Sequence, residues 1–242
     1  MAQLRRNLSN QEKEYFSERE NWIKTLKPET LADFPFLFQS RQNINEILGR
    51  IDLFRKVINV TGDIIECGVA QGNGLMIYAH LSAMLEPYAL NRHIVGFDTF
   101  EGFRSISSGN DPDDISNADF SFASDELLAK AIEIYDMGRP MNHVPRVSYV
   151  KGDAVQTIPQ YVKDHPELII AMLYLDFDIY EPTKVALDHF LPLVPKGGIV
   201  AFDEINYAKF AGETIALKEK LNLNGIKLER IPYAPFVGYF VV

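Results

Sequence analysis

The sequence predicts an α/β protein built on a mostly parallel sheet with helices on both faces. From residue 60 onward, short apolar runs alternate with stretches of helical periodicity, and Gly, Pro or Asp residues bound the runs. Short runs rich in Ile and Val are typical of strands buried on both faces, and helical crossovers are what parallel strands require. Only five residues, 232–236, separate the last two runs, so we expect these to pair as a terminal antiparallel hairpin.

The individual elements follow from this periodicity. The seven candidate strands are residues 63–69, 93–97, 146–150, 169–175, 198–202, 227–231 and 237–242. Before them, residues 41–59 carry apolar side chains at spacings of three and four, which predicts an amphipathic helix ending at the Thr61-Gly62 turn. Residues 1–30 are polar with scattered aromatic side chains and are expected to be helical. We therefore expect an N-terminal helical segment over residues 1–58 and one sheet domain over residues 59–242.

Composition narrows the class of function. A net charge of −9 argues against a nucleic-acid partner, because binding a polyanion depends on Lys and Arg. No apolar run reaches the length of a membrane-spanning helix, and no apolar stretch follows the basic pair near the N-terminus as a signal peptide would require. The single cysteine, Cys67, fits a reducing cytoplasm. These features favour cytoplasmic small-molecule chemistry.

A glycine-rich turn follows the first predicted strand and precedes helical residues 75–85. It reads Glu66-Cys-Gly68-Val-Ala70-Gln-Gly72-Asn-Gly74. Glycine permits positive φ and close approach of a ligand, and the following helix offers free N–H groups. The spacing differs from the G-x-G-x-x-G fingerprint of dinucleotide sites, which disfavours a dehydrogenase. It suits a nucleoside without a diphosphate, or else a tight structural turn with no ligand.

Two acids follow the next two predicted strands. Asp98 is placed to accept hydrogen bonds from ribose hydroxyls, and Asp153, in Gly152-Asp153-Ala154, to accept from an adenine amine. A Gly-Asp pair by itself is usually only a turn. Open parallel sheets bind ligands at the carboxyl ends of their strands, where both acids and the glycine turn are expected.

Four more carboxylates follow two further strands. They are Asp176, Asp178, Asp203 and Glu204. Carboxylates that share a small region repel one another unless a cation binds or some are protonated. A hard oxygen-ligated ion, Mg²⁺ above all, would relieve that repulsion. The alternative is a set of solvated loop acids, with the pair after the fifth strand capping a helix.

Taken in order, these motifs resemble a class I S-adenosylmethionine-dependent methyltransferase over about residues 60–242. The residues that carry the resemblance are Glu66-Cys-Gly68, Phe97-Asp98, Gly152-Asp153 and Leu175-Asp176, together with the terminal hairpin. The resemblance implies a Rossmann-like sheet. It also implies an S-adenosyl-L-methionine site formed by Glu66, Gly68, Ala70, Gly72, Gly74, Asp98, Gly152, Asp153, Ala154 and Asp176.

Three longer sequence motifs narrow the resemblance to one family of methyltransferases. Gly-Phe-Asp-Thr-Phe-Glu-Gly-Phe at 96–103, Leu-Asp-Phe-Asp-Ile-Tyr-Glu-Pro-Thr at 175–183 and Phe-Asp-Glu at 202–204 resemble the macrocin O-methyltransferase family and its relatives acting on nucleotide-linked sugars. This implies a sugar-hydroxyl acceptor and Mg²⁺ dependence, with Asp178, Asp203 and Glu204 as metal ligands. The family's third motif more often ends Asp-Asp, so Glu204 keeps the charge on a longer arm.

The mechanism expected is in-line attack of a sugar hydroxyl on the methyl group, with Asp178 as first candidate for the base and His143 as second. A catechol-type O-methyltransferase and a non-catalytic S-adenosylmethionine-binding subunit are the alternatives. An insertion over about residues 100–145 is either a lid or an exposed loop. The N-terminal helices and residues 34–38 form either a homo-oligomer interface or packing within the chain.

Overall fold

The computed structural model describes residues 9–242, which fall into two compact units, residues 9–45 and residues 46–242. The smaller unit holds α1 (Asn10–Ile23), α2 (Pro28–Asp33) and the start of α3 (Arg41–Val57). Helix α1 begins at a capping box, in which Ser9 and Glu12 each accept the other's backbone N–H. The expected helices at 1–30 and 41–59 are thus present over the described residues. The boundary expected at 58/59 falls just after the end of α3, whereas the two compact units meet within α3, at 45/46.

A seven-stranded sheet forms the centre of the larger unit. Its strands are β1 (Asp63–Cys67), β2 (Ile94–Asp98), β3 (Val147–Lys151), β4 (Ile170–Leu175), β5 (Ile199–Phe202), β6 (Glu229–Ile231) and β7 (Ala234–Val241). The order is β3-β2-β1-β4-β5-β7-β6, and β7 runs antiparallel to both neighbours. This confirms the predicted class I methyltransferase sheet. The hairpin is tighter than expected, because only Pro232 and Tyr233 separate its strands, and it lies at one edge of the sheet with β7 next to β5 and β6 outermost.

Helices cover both faces of the sheet, as predicted. On one face α3, α4 (Asn73–Leu85) and α5 (Asp125–Gly138) pack in one apolar cluster. On the other face α6 (Ala154–Asp164), α7 (Tyr180–His189) and α8 (Gly212–Lys220) pack in a second. Neighbouring strand residues alternate between the clusters, so that Ile64 belongs to the first and Ile65 to the second. Both are fully buried, which explains why the strand sequences read as continuous apolar runs.

The insertion between β2 and β3 is docked on neighbouring loops. Phe103 packs with Ile179 and Phe210, which come from the β4–α7 and β5–α8 connections. Asp111 is buried, and its Oδ1 accepts the backbone N–H of Tyr180 at 2.7 Å. Because these connections leave the carboxyl ends of β4 and β5, the insertion lies over that edge of the sheet. In the described part of the chain, no helix is long and apolar enough to cross a membrane.

Candidate active site

The glycine turn packs tightly against the protein itself. Gly68 has φ +88, and a Cβ there would overlap the backbone oxygen of Asp176. A Cβ at Gly74 would overlap the carboxylate of Glu66 and the guanidinium of Arg50. These two glycines are therefore required by the contact between β1 and the residues after β4, and by a buried ion pair. Gly72, at φ +89, is the N-cap of α4, and Ala70 also has positive φ.

Asp98 fastens the glycine turn to the end of β2. Its Oδ2 accepts the backbone N–H of Ala70 at 2.7 Å, and its Oδ1 accepts that of Phe100 at 2.7 Å. Burial raises the pKa of Asp98, while the N–H groups of Phe100 and Ala70 act in the opposite direction. Each carboxylate oxygen has a second lone pair, so Asp98 can still accept from a ligand hydroxyl.

Asp153 lies beside Asp98 at the end of β3. The backbone N–H of Gly152 donates to the carbonyl of Asp98 at 2.9 Å, which brings the two turns together. Asp153 caps α6 by accepting from Val155 N at 3.0 Å, and its other oxygen accepts from Ser105 Oγ of the insertion at 2.8 Å. Ala154 is the buried first residue of α6. Gly152, Asp153 and Ala154 thus lie at the carboxyl edge of the sheet, next to Asp98.

Glu66 forms an ion pair with an arginine, Arg50, that lies outside the sequence motifs of the predicted site. The Nη1 of Arg50, on α3, lies 2.5 Å from Glu66 Oε1, and both side chains are buried. Burial raises the pKa of Glu66 to about 7 against the opposing effect of Arg50. The Nη2 of Arg50 also lies 3.5 Å from Asp176 Oδ2. The sequence did contain an indication that Arg50 is buried. It lies three, four and seven residues before Leu53, Phe54 and Val57, and so on the same, buried face of α3.

The acid cluster is gathered at the ends of β4 and β5. Burial, with the charges of Asp203 and Asp178, raises the pKa of Asp176 well above its ordinary range. Burial and the same neighbours also raise the pKa of Glu204. Asp178 is buried at φ +64, a backbone conformation that is costly outside glycine and concentrates at functional sites. Asp203 accepts the hydroxyl hydrogen of Tyr174 at 2.6 Å.

Glu213 is a further carboxylate of this cluster; from the sequence, Gly212-Glu213-Thr214 fits an acceptor contact and a helix start equally well. It lies in the first turn of α8 and is fully buried. Its Oε1 accepts the backbone N–H of Asp178 at 3.2 Å, and its Oε2 accepts that of Glu204 at 3.3 Å. Burial, with Asp178 and Asp203, raises the pKa of Glu213. Glu213 therefore joins the two loops that carry the predicted metal ligands.

Two predictions receive no geometric support. Over residues 9–242, no group of three or more His, Cys, Asp or Glu side chains is arranged to hold a metal ion. His143 lies in an exposed turn that leads into the amino end of β3. Because the acids cluster at the carboxyl ends of the parallel strands, the structure does not bring His143 to them.

The site was compared with known proteins. The family model of macrocin O-methyltransferase matches residues 33–230. The chain belongs to the macrocin O-methyltransferase family. It is therefore an enzyme, an S-adenosylmethionine-dependent O-methyltransferase of a family of sugar O-methyltransferases. A search of curated proteins found no match.

Solved structures agree with membership of this family. The calicheamicin methyltransferase CalS11 is 34% identical over 97% of this chain and 94% of its own, with a TM-score of 0.88. A second structure, described as apo CalS11, a TDP-rhamnose 3'-O-methyltransferase, is 32% identical over 97% and 96%, with a TM-score of 0.83. The O-methyltransferase NovP shares the fold at 21% identity over 82% and 79%, with a TM-score of 0.64.

Proposed function

We propose that this enzyme transfers the methyl group of S-adenosylmethionine to a hydroxyl of a nucleotide-linked sugar, with Mg²⁺ bound at the acid cluster. The observation that carries the proposal is the convergence of Asp98, Asp153, Asp176 and Asp178 at one sheet edge. We name Glu66, Asp98, Asp153 and Asp176 the donor side, and Asp178, Asp203 and Glu204 the acceptor side. The acceptor class is suggested by CalS11, whose described substrate is TDP-rhamnose.

The donor side carries carboxylates that can accept hydrogen bonds from the nucleoside part of the methyl donor. Asp98 would accept from the ribose hydroxyls and Asp153 from the adenine amine, since a carboxylate oxygen can accept more than one hydrogen bond. Gly68 and Ala70 bring the turn close to Asp176, which would face the methionine part. Gly72, Gly74, Gly152 and Ala154 shape the two turns that flank this space.

On the acceptor side, Asp178 would take the proton of the attacking hydroxyl. The bond from that oxygen to the methyl carbon forms as the sulfur–carbon bond breaks, and the proton leaves on the carboxylate. Glu213 holds the Asp178 backbone in its strained conformation through the N–H contact at 3.2 Å. The insertion, fixed by Asp111 and Phe103, would exclude water from the reacting groups.

The acceptor side also suits a hard cation. Crowded buried carboxylates raise one another's pKa, and Glu204 Oε2 is buried without a hydrogen-bond partner. Oxygen ligands of this kind are those that Mg²⁺ prefers, so Asp178, Asp203 and Glu204 would hold it after a local adjustment. When bound, Mg²⁺ would lower the pKa of a coordinated acceptor hydroxyl.

The proposal is tested by ligand binding followed by an acceptor screen. Calorimetry should detect binding of S-adenosylhomocysteine, and NADH should not bind. Labelled methyl donor should then label nucleotide sugars in preference to glycosylated macrolides or catechols. Transfer to catechols alone would replace the proposal by the catechol-type alternative. Binding of the donor without transfer to any acceptor would favour a non-catalytic subunit.

The metal is tested with Asp203→Ala. Burial and the neighbouring acids raise the pKa of Glu204, so folding without metal is penalised increasingly as pH rises above the unfolded pKa of about 4. Mg²⁺ binds the ionised form of the carboxylate and would offset this penalty. Mg²⁺ should therefore raise the Tm of the wild type more at about pH 8 than at about pH 6. The variant should show no such rise, lose Mg²⁺-dependent turnover and still bind S-adenosylhomocysteine. Equal Mg²⁺ stabilisation of both proteins would remove the metal from the proposal.

We place the enzyme in the cytoplasm, because its single cysteine, Cys67, fits a reducing compartment. The side chains of Phe34, Phe36 and Leu37 in the smaller unit are exposed, which supports a homo-oligomer that buries them.

A further inference from the structure

Arg50 lies at the junction between the donor side and the acceptor side. Its guanidinium pairs with Glu66 on β1 at 2.5 Å and with Asp176, the residue after β4, at 3.5 Å. The side chain is 4% exposed, and Gly74 leaves the space that it occupies. One buried cation therefore fixes two donor-side carboxylates on adjacent strands.

The same guanidinium reaches the acceptor side through an aromatic ring. Arg50 Cζ lies 4.2 Å from the ring centroid of Tyr174, and the hydroxyl of Tyr174 donates to Asp203 at 2.6 Å. Tyr174 lies on β4, between β1 and β5, so the link crosses the three strands that carry the acids. A planar cation stacked on this ring holds it, and with it the Asp203 carboxylate, in one orientation.

This arrangement depends on the shape of arginine as well as on its charge. A lysine ammonium is a compact charge on a flexible stem and cannot both pair with two carboxylates as a fork and stack on an aromatic face. Substituting lysine keeps the charge beside Glu66, so the buried carboxylate is not left without a cation. Arg50→Lys therefore removes the alignment and retains the neutralisation.

We propose that Arg50 is a positioning residue that aligns Asp176 on the donor side with Asp203 on the acceptor side, through its ion pair and its stacking on Tyr174. The inference rests on the proposed function, because it assigns the two acids to the methyl donor and to the acceptor. Misalignment of reactants by about 1 Å costs on the order of 100-fold in rate, so the effect falls on kcat more than on binding.

The test compares Arg50→Lys with a matched buried arginine. Arg92 is also buried, donates to the carbonyls of Gly62 at 2.6 Å and Val60 at 3.0 Å, and pairs with Glu86 at 2.7 Å, a carboxylate outside the candidate site. Arg50→Lys should lower kcat about 10- to 100-fold and change the Kd of S-adenosylhomocysteine by less than about fivefold. Arg92→Lys should lower Tm comparably and leave kcat within about twofold. Equal kcat for the two variants would overturn the proposal.

A second variant keeps the test independent of any folding defect in Arg50→Lys. Tyr174→Phe retains the stacked ring and loses only the hydroxyl that Asp203 accepts. It should lower kcat about 3- to 10-fold with unchanged binding of S-adenosylhomocysteine, and the double variant should be no slower than Arg50→Lys by more than about twofold. Effects that multiply in the double variant would contradict a shared link.

The behaviour of the wild-type enzyme distinguishes failure of the proposed function from failure of the role proposed for Arg50. A wild-type enzyme that binds no S-adenosylhomocysteine and transfers no methyl group defeats the proposed function. An active wild type whose Arg50→Lys variant behaves like Arg92→Lys defeats only the role of Arg50.

Discussion

Asp178→Asn is expected to lower kcat about 100- to 10,000-fold, the range for loss of a general base. Asparagine preserves the shape of the side chain but does not accept the proton of the acceptor hydroxyl. It also tolerates the left-handed backbone at φ +64, so the loop and its contact with Glu213 are expected to remain. The measurements are kcat with a saturating acceptor and the Kd of S-adenosylhomocysteine, which should stay within about threefold.

The matched control is Asp188→Asn on α7. Asp188 is a half-exposed carboxylate that pairs with Lys220 at 2.7 Å, and its side chain faces solvent. Removing an exposed ion pair changes stability by less than about 1 kcal/mol, so its kcat should equal that of the wild type. If Asp178→Asn kept wild-type turnover, another group would have to accept the proton.

The sheet was predictable because each strand is buried on both faces. Ile64 and Ile65 contact different clusters, and both must be apolar, so the strands read as continuous runs bounded by turn residues. The short connection before β7 excluded a crossover and predicted the antiparallel pairing. The position of β7 between β5 and β6 was not predictable from that connection, because a hairpin specifies only its own pairing.

The acids of the site were predictable because each ends a strand or follows one within two residues. Asp98, Asp153, Asp176 and Asp203 occupy the carboxyl edge that the parallel order defines. Their partners were not predictable in the same way. Arg50 joins Glu66 and Asp176 from a helix before the sheet, and Glu213 joins two loops from the helix after them. Contacts of this kind depend on packing between distant segments, for which local periodicity carries little information.

The physical reason that the sequence offered for the glycines of the turn was incomplete. The turn was expected to leave space for a ligand. In the structure, the space at Gly68 is taken by the backbone after β4, and the space at Gly74 by Glu66 and Arg50. The motif therefore encodes close packing between the donor turn and the acidic strand ends, which places ligand-facing acids within a short distance.

Gly68→Ala is expected to destabilise the enzyme by about 2 to 6 kcal/mol, with a loss of S-adenosylhomocysteine binding. The added methyl group would overlap the backbone oxygen of Asp176, and alanine at φ +88 is strained besides. Relief of that overlap must separate the turn from the residues after β4. Each kcal/mol lowers Tm by about 2 to 4 °C in a chain of this size, so thermal unfolding measures the effect directly.

Gly138→Ala provides the matched control. Gly138 ends α5, has no positive φ and has open space where its Cβ would lie, so alanine should change stability by no more than about 1 kcal/mol. Measuring both thermal stability and S-adenosylhomocysteine binding distinguishes a purely structural role of Gly68 from a role in forming the donor side. A destabilised variant that still binds S-adenosylhomocysteine with wild-type affinity would mean that the turn is structural alone. Loss of both, with Gly138→Ala unaffected, is the result expected if the close contact between β1 and Asp176 is what forms the donor side.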